Sequence, residues 1–528
     1  MNAIRVVDLF AGPGGLGEGF SSVVDDRHQP IFELELSIEK DPAAHKTLEL
    51  RSFYRQFESG DAPDEYYSYL RGDIGREQLF RSHPDEARTA ARIAWHATLG
   101  AESIDAVRAR VDKSLGSPDE AWVLIGGPPC QAYSLAGRMK LRSILGDRFE
   151  HDHRHTLYKE YLRILADHAP DIFVMENVRG LLSSTLNGSG TFELIKRDLE
   201  DPGRAVPDAR KPATYRIFSL TPPSALMLLE PEELVANDFV VRFEDYGIPQ
   251  RRHRLILIGV REDLVHSDGA DLLMIEKQRF DRPNVGDAIN GLPPVRSNIT
   301  KETDSDESWL GLIREFCSGV SGVVEELSDQ RLIDALTRVP GSLDIPAAGV
   351  GAEFVPGPVD VGFAREWILD SRLGGSVNHS TRGHMRGDLQ RYLFAAVFAQ
   401  IHGVSPRLAD FPNALLPRHR NVRPGRRDQA FADRFRVQIA GQPATTITSH
   451  IFKDGHYYIH PDPVQCRSLT VREAARIQTF PDNYFFEGPR TAQYAQVGNA
   501  VPPLAALHVA RRVAEILGRP AATGQFSR

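Results

Sequence analysis

Up to residue 261 the chain alternates short apolar runs with stretches of mixed polarity. Ile4 to Phe10 and Ile31 to Ile38 are apolar runs bounded by turn-forming and charged residues, the pattern of buried strands. A Gly-rich turn and a helix from about Leu16 follow the first, and a helix through Ala43 to Leu50 follows the second. Trp122 to Ile125 reads as a third strand. A helix through Tyr158 to Ala166 leads to a fourth, Ile172-Phe173-Val174-Met175, and Phe239 to Val241 with Leu255 to Ile258 forms a late hairpin. Strands spaced by helices predict an α/β fold: a doubly wound, mostly parallel, Rossmann-like sheet covered on both faces. Gly75 to Glu120 is charged and helical and reads as an insertion between two sheet elements.

The texture changes at Glu262. From there to about Gln465 prolines are frequent and apolar runs short and scattered, which predicts a second, irregular domain. Regular signals return at Ser468 to Gln478, where Thr470 with Glu473 three residues later is a capping-box pattern. A last helix runs from about Pro503 to Leu517. The chain divides accordingly into 1–261, 262–488 and a return segment, 489–528.

Composition narrows the class. The chain has 528 residues. Domains commonly hold roughly 150 residues, so two to four of them are allowed. The apolar fraction of 41% fills real cores, and the charged fraction is 25%. Both are ordinary for a globular protein. No charged n-region leads into an apolar h-region, and no apolar run reaches ~18 residues, so neither a signal peptide nor a membrane span is expected. Cys130, Cys317 and Cys466 are odd in number and far apart, as suits a reducing cytoplasm. A net charge of -8, spread evenly, argues against a nucleic-acid partner. The distribution is uneven. Arg418, Arg420, Arg423, Arg426, Arg427, Arg434 and Arg436 fall close together, opposed by Asp428 and Asp433. Such a run is either a solvated face or a loop that contacts phosphates or bases; the absence of lysine and the breaks at Pro417, Pro424 and Gly425 favour the loop.

The chemistry-bearing residues gather at predicted strand ends. Cys130 lies in Gly126-Gly127-Pro128-Pro129-Cys130-Gln131, directly after the third apolar run, where open α/β sheets place ligands. It is either a positioned nucleophile or a small buried hydrophobe. Asp8-Leu9-Phe10-Ala11-Gly12-Pro13-Gly14-Gly15 lets backbone approach a ligand at a helix start. Glu39 ends the second strand, where an acid holds ribose hydroxyls, and Asp73 is a plausible partner for an adenine amine. These three features describe an adenosine-containing cofactor without saying which. Glu176-Asn177-Val178 brings a carboxyl beside the thiol. Gln250, Arg252 and Arg254 would share one face of a strand.

In this order the motifs resemble the cytosine-5 DNA methyltransferase family, at both ends of the chain and not in its middle. Gly127 to Gln131 is similar to the nucleophile motif, Asp152 to Leu157 to the motif opening the next helix, and Glu176 to Val178 to the Glu-Asn-Val motif. Gln250 to Arg254 is similar to Gln-x-Arg-x-Arg. Arg467 to Glu473 with Phe480 to Asp482 resembles the helix that organises recognition, and Gln496 to Pro502 the closing motif. The resemblance implies a catalytic domain over 1–261, a target-recognition domain over 262–488 and S-adenosyl-L-methionine as cofactor. The cofactor would be held by Phe10, Ala11, Gly12, Gly14, Gly15, Glu39, Lys40, Asp73, Ile74, Pro128, Asn499 and Ala500. Cys130, Glu176, Arg252 and Arg254 would carry the chemistry. Gln131, Arg138, Gln250, Arg418, Arg420, Arg423, Arg426 and Arg427 would contact double-stranded DNA. Departures are Lys40, where relatives place an apolar or aromatic residue against adenine, Tyr133 for Phe, and the long 75–120 insertion.

The implied reaction is attack of Cys130 on cytosine C6, with Glu176 at N3 and Arg254 at O2, followed by methylation at C5. It requires a flipped-out base, and 132–150 is the expected closing loop. A cognate restriction or defence nuclease and a monomeric state are further expectations. His151, His153 and His155 overlap a family motif that binds no metal, so no metal is expected. A tRNA methyltransferase, an inactive DNA-binding homologue and a dinucleotide oxidoreductase are the competing classes. The large middle domain, the intact Cys130, Glu176 and Arg254, and the Pro-Cys motif argue against them in turn.

Overall fold

The computed structural model describes residues 2–58, 60–116, 120–129, 157–182, 185–186, 189–206, 208–221, 236–265, 282–318, 323–418, 422 and 431–522. Its centre is an eight-stranded sheet. The strands are β1 (Ile4–Leu9), β2 (Phe32–Glu39), β3 (Ala94–His96), β4 (Trp122–Gly126), β5 (Ile172–Val178), β6 (Tyr215–Phe218), β7 (Val240–Arg242) and β8 (His253–Arg261). Their order is β3-β2-β1-β4-β5-β8-β6, with β7 also paired to β8. The first five are mutually parallel. β8 runs antiparallel to β5, β6 and β7.

Side chains alternate across the sheet with the period of two that a strand imposes. Val6, Val123, Ile125, Val174, Ile256 and Ile258 enter one core, shared with α1 (Gly15–Ser21) and the last helix. Val7, Leu9, Leu124, Phe173, Met175, Leu255 and Leu257 enter the other. That second core is covered by α6 (Ile104–Leu115), α7 (Leu157–His168) and α8 (Thr191–Glu200). Burial on both faces is why these strands are continuous apolar runs.

Two strands depart from the sequence expectation. β3 is three residues at the sheet's edge, and its His96 is exposed. β6 is a four-residue edge strand with Arg216 exposed. Neither is an apolar run. The 75–120 segment is therefore not simply an insertion, since it supplies β3 and α6 to the sheet. The added helices are α3 (Asp64–Arg71), α4 (Arg76–Ser82) and α5 (Pro84–Ile93), which pack on Leu50 and Phe53 of α2 (Pro42–Tyr54) and on Leu373 and Val377.

Beyond β8 a separate core forms around α9 (Asp306–Cys317), α10 (Gln330–Arg338) and the 17-residue α11 (Arg386–His402). α12 (Val471–Ile477) is buried at all seven positions and closed by the capping box of Thr470 and Glu473. Three guanidiniums fix it. Arg467 pairs with both Glu473 oxygens, at 2.7 and 2.6 Å, and Arg476 with both of Asp482, at 2.9 and 2.7 Å. Arg472 donates to the carbonyls of Val377, Pro481 and Tyr484. α13 (Arg490–Asn499) and α14 (Pro503–Ile516) then return to the sheet. A side chain at Gly15 would collide with the Val501 carbonyl, and one at Gly19 with the Leu507 amide, so glycine lets α1 lie directly on the returning segment.

Candidate active site

The strand order reverses between β1 and β4: the chain moves outward through β2 and β3 on one side and β5 on the other. The crevice beyond the carboxyl ends at such a point is where open sheets bind ligands. The β1 turn enters it with Phe10 at φ 57°, Gly12 at φ 57° and Gly14 at φ 95°. These positive values are conformations that favour glycine. The Ala11 amide donates to the Ile38 carbonyl at 3.1 Å. The Gly12 amide donates to Glu39 Oε2 at 2.8 Å, and the Asp41 amide to Oε1 at 2.7 Å. Glu39 thus pins the turn to the end of β2. A side chain at Gly12 would meet nothing within 4 Å, so the backbone there is open to a ligand.

Behind the turn the packing is polar and closed. The Tyr484 hydroxyl donates to the Pro13 carbonyl. Glu18 of α1 accepts from Arg51 Nε and Nη2 at 2.9 and 2.5 Å and from Arg55 at 2.7 Å. Asp8 is fully buried, and neither of its oxygens has a well-formed hydrogen bond among the described residues. Burial pushes its carboxyl up to about 8, the Arg55 charge acts against this, and the Glu39 charge adds to it.

On the other side of the crevice β4 ends at Gly126. A side chain on Gly127 would come to 3.0 Å from Glu176 Oε2, so glycine lets this backbone lie against the carboxyl. Asn177 Nδ2 donates to the Pro128 carbonyl at 3.4 Å. Arg254 Nε lies 2.9 Å from Glu176 Oε1, an ion pair in which both side chains are 13% exposed. Burial draws the Arg254 pKa below its usual value, and the Glu176 charge acts against that. The described backbone stops at Pro129. Cys130, Gln131 and Arg138 lie outside the described residues, as do 132–150, the histidines at 151, 153 and 155, and Arg420, Arg423, Arg426 and Arg427.

Several expected residues sit elsewhere. Arg252 and Arg254 bind different partners. Arg252 separates a two-residue strand, Gln250–Arg251, from β8, and its amide donates to the Gln250 carbonyl at 2.9 Å. Its guanidinium is 2% exposed and donates to the carbonyls of Ile447 at 2.8 Å, Ala500 at 2.8 Å and Gly498 at 3.4 Å. Arg252 is a buried strut between the sheet, the middle domain and the returning segment, not part of the reacting pair. Gln250 is also interior. It accepts from the Ile447 amide at 2.8 Å and donates to Gln478 Oε1 at 2.8 Å, which removes it from any DNA-facing surface.

Asp73 and Ile74 follow α3, among the added helices, at no strand end. Asp73 is 61% exposed and pairs with Arg71 at 3.3 Å, while Ile74 packs on the helical core. In the sheet it is His96 that stands beside Glu39. Lys40 and Asn499 are exposed, Pro128 and Ala500 are buried, and Arg418 is exposed. Asn378, in the middle domain, is buried and bonded to Glu353 and the Phe486 backbone.

One lined cleft was not anticipated. A cavity of about 440 Å³ opens between the Gln250–Arg251 strand and the middle domain, lined by Arg251, Arg436, Thr445, Thr446, Thr448, His450, Tyr457 and Tyr458. The Thr446 hydroxyl donates to the Arg251 carbonyl at 2.6 Å, and the Arg436 guanidinium lies 5.7 Å from the centre of the Tyr457 ring. The sequence signal was the hydroxyl-rich run Thr445-Thr446-Ile447-Thr448-Ser449. Among the described residues no group of three potential metal ligands occurs.

Comparison with known proteins agrees with this geometry. Residues 93–206, 237–332 and 378–515 match the family described as C-5 cytosine-specific DNA methylase. The type II methyltransferase M.Bpa9945I of Bacillus paralicheniformis is 32% identical over 97% of this chain and 99% of its own length. The DNA (cytosine-5-)-methyltransferase M.ApeKI of Aeropyrum pernix is 27% identical over 98% and 99%. A crystal structure described as a prophage-encoded DNA modification methyltransferase from E. coli superposes with a TM-score of 0.51 at 18% identity, covering 98% of this chain and 100% of that one, a likeness of fold. The strand-end arrangement and the matched residues together place this chain in the C-5 cytosine-specific DNA methylase family.

Proposed function

We propose that this enzyme transfers a methyl group from S-adenosyl-L-methionine to C5 of a flipped-out cytosine in double-stranded DNA, through a covalent bond to Cys130. The observation that carries this reading is the Glu176–Arg254 ion pair lying against Gly127, three residues before Cys130. An acid and a cation side by side at the nucleophile's strand end match the N3 and O2 edge of a pyrimidine.

The crevice fits the cofactor. The open face of Gly12, the pinned Phe10–Gly14 turn and the Glu39 carboxylate would hold it, Glu39 toward the ribose hydroxyls. When bound, S-adenosyl-L-methionine supplies the methyl group taken by C5. The chain's own residues do the rest. The Cys130 thiolate adds to C6, and the displaced electron pair makes C5 nucleophilic. Glu176 hydrogen-bonds at N3, and Arg254 stabilises the charge that develops at O2. Loss of the C5 proton then lets Cys130 leave by elimination. Asn177 holds the Pro128 carbonyl and so sets the path of the backbone toward Cys130.

The target atoms are inaccessible inside a duplex, so the base must leave the stack. The cleft with Arg251 and Arg436 lies between the Gln250–Arg251 strand and the middle domain and suits a DNA backbone. The arginine-rich 418–436 segment, which ends at this cleft, is the proposed recognition element. The type II names of the relatives support a role in restriction-modification; a cognate nuclease, a monomeric state and a cytoplasmic location are further parts of the proposal. Among the described residues no helix is long and apolar enough to cross a membrane.

Methyl transfer from labelled S-adenosyl-L-methionine, run in parallel on duplex DNA and on tRNA, tests the reading. Label recovered as 5-methylcytosine in DNA alone is expected. Label in tRNA, or in neither, contradicts it.

A further inference from the structure

No acid directly follows β3, and Glu102, farther along the loop after it, is exposed. That strand ends at His96, and Ala97 and Thr98 follow; Asp73 belongs to the added helices. A carboxyl reaches the same rim from another element. α7 crosses from β4 to β5, so its first turn lies at the edge where the parallel strands end. Glu160 sits in that first turn, half-buried, and has no hydrogen bond or ion pair among the described residues.

Glu160 faces the loop after β3. A side chain on Gly100 would come to 3.7 Å from its Cγ and 3.8 Å from its Oε1. Ala97, Leu99, Leu165 and Tyr161 enter the core on this face of the sheet, and Phe10 of the cofactor turn packs against that same core. The loop after β3 and a carboxyl without a partner among the described residues thus meet at one side of the rim, on the sheet face where Phe10 also packs. A carboxyl left half-buried and unpaired carries a desolvation penalty that a donor from a ligand relieves. Burial raises its pKa, opposed by the Arg163 charge.

We infer that Glu160 recognises the exocyclic amine of the cofactor's adenine, in the role the sequence suggested for Asp73. The inference rests on the adenosyl cofactor proposed above. An ionised carboxylate only accepts hydrogen bonds, so it pairs with the amine of adenine and opposes the carbonyl of hypoxanthine. Glutamine can turn its amide to either.

The test is calorimetric binding of S-adenosylhomocysteine and S-inosylhomocysteine to the full chain, as wild type, Glu160→Gln and Asp73→Asn. Wild type and Asp73→Asn are expected to prefer the adenine ligand by about 100-fold or more, and Glu160→Gln by less than about tenfold. Full discrimination retained in Glu160→Gln overturns the inference. So does a wild type that binds both ligands equally, which needs no variant to fold. A wild type that binds neither ligand refutes the adenosyl reading itself, whereas one that binds while Glu160→Gln still discriminates leaves that reading standing and removes Glu160 alone.

Discussion

Arg252 and Arg254 are two residues apart and do different work, and replacing each by Met should separate them. Arg252 makes two 2.8 Å bonds to the Ile447 and Ala500 carbonyls and a longer one to Gly498. A hydrogen bond from a charged donor contributes about 1.5–3 kcal/mol. Two good ones would sum to about 3–6 kcal/mol, but among the described residues this buried cation forms no ion pair with a carboxylate. Its pKa is drawn well below the usual value by burial, with the Arg254 charge adding to that. Relief of that cost, with a Met stem filling most of the volume, leaves a net loss of about 2–4 kcal/mol. A chain with several cores does not unfold in two states, so local opening is the better observable. Hydrogen exchange at 447–449 and 498–501 should accelerate by about 30- to 700-fold in Arg252→Met, since about 1.4 kcal/mol is tenfold. In Arg254→Met these segments should keep wild-type protection while methyl transfer is lost. Unchanged exchange in Arg252→Met together with lost turnover would refute the strut and return Arg252 to the chemistry.

Asp8→Asn should alter the pH dependence of stability. The folded pKa of Asp8 is about 8. The unfolded value is about 3.9, so the folded state holds the proton more tightly and stability falls as pH rises between them. Melting temperatures from pH 4 to 9 should show that fall in the wild type and its absence in Asp8→Asn; identical profiles would show that burial does not hold a proton on Asp8. Gly15→Ala places a methyl group against the Val501 carbonyl. It should cost about 1–3 kcal/mol or more by prising α1 from the returning segment, read as a lower melting temperature. Arg251→Ala and Arg436→Ala, both in the cleft, should each weaken DNA binding. Each should also reduce the salt slope by about one unit, measured by titration across salt concentrations; unchanged slopes would place the backbone elsewhere.

The central strands were legible because burial on both faces writes them as apolar runs, and the late hairpin because the short apolar Val240-Val241 precedes the buried run of β8. β3 and β6 were not, because an edge strand of three or four residues carries polar side chains and has no run to show. Missing β3 made the 75–120 segment look like pure insertion and gave Asp73, in a Gly-Asp-Ile context, a place that its helix does not occupy. In the candidate site, the placement of Glu39, Glu176 and Arg254 at strand ends was readable from the apolar runs beside them. Gln250 and Arg252 were misassigned because alternation assumes an unbroken strand, and Arg252 interrupts it. The middle domain hid its helices: buried turns such as α12, with three internally paired guanidiniums, read as charged surface until their partners are seen. Glu160 had no local signature, since its place depends on how α7 meets the loop after β3.

The central claim, cytosine methylation through Cys130, is tested most directly by bisulfite sequencing of DNA from a host expressing the full chain or its Cys130→Ser variant at equal soluble levels. Cytosines protected at one recurring sequence with the wild type, and none with Cys130→Ser, is the predicted result. No protected sequence with the soluble wild type, or protection that survives Cys130→Ser, would contradict it.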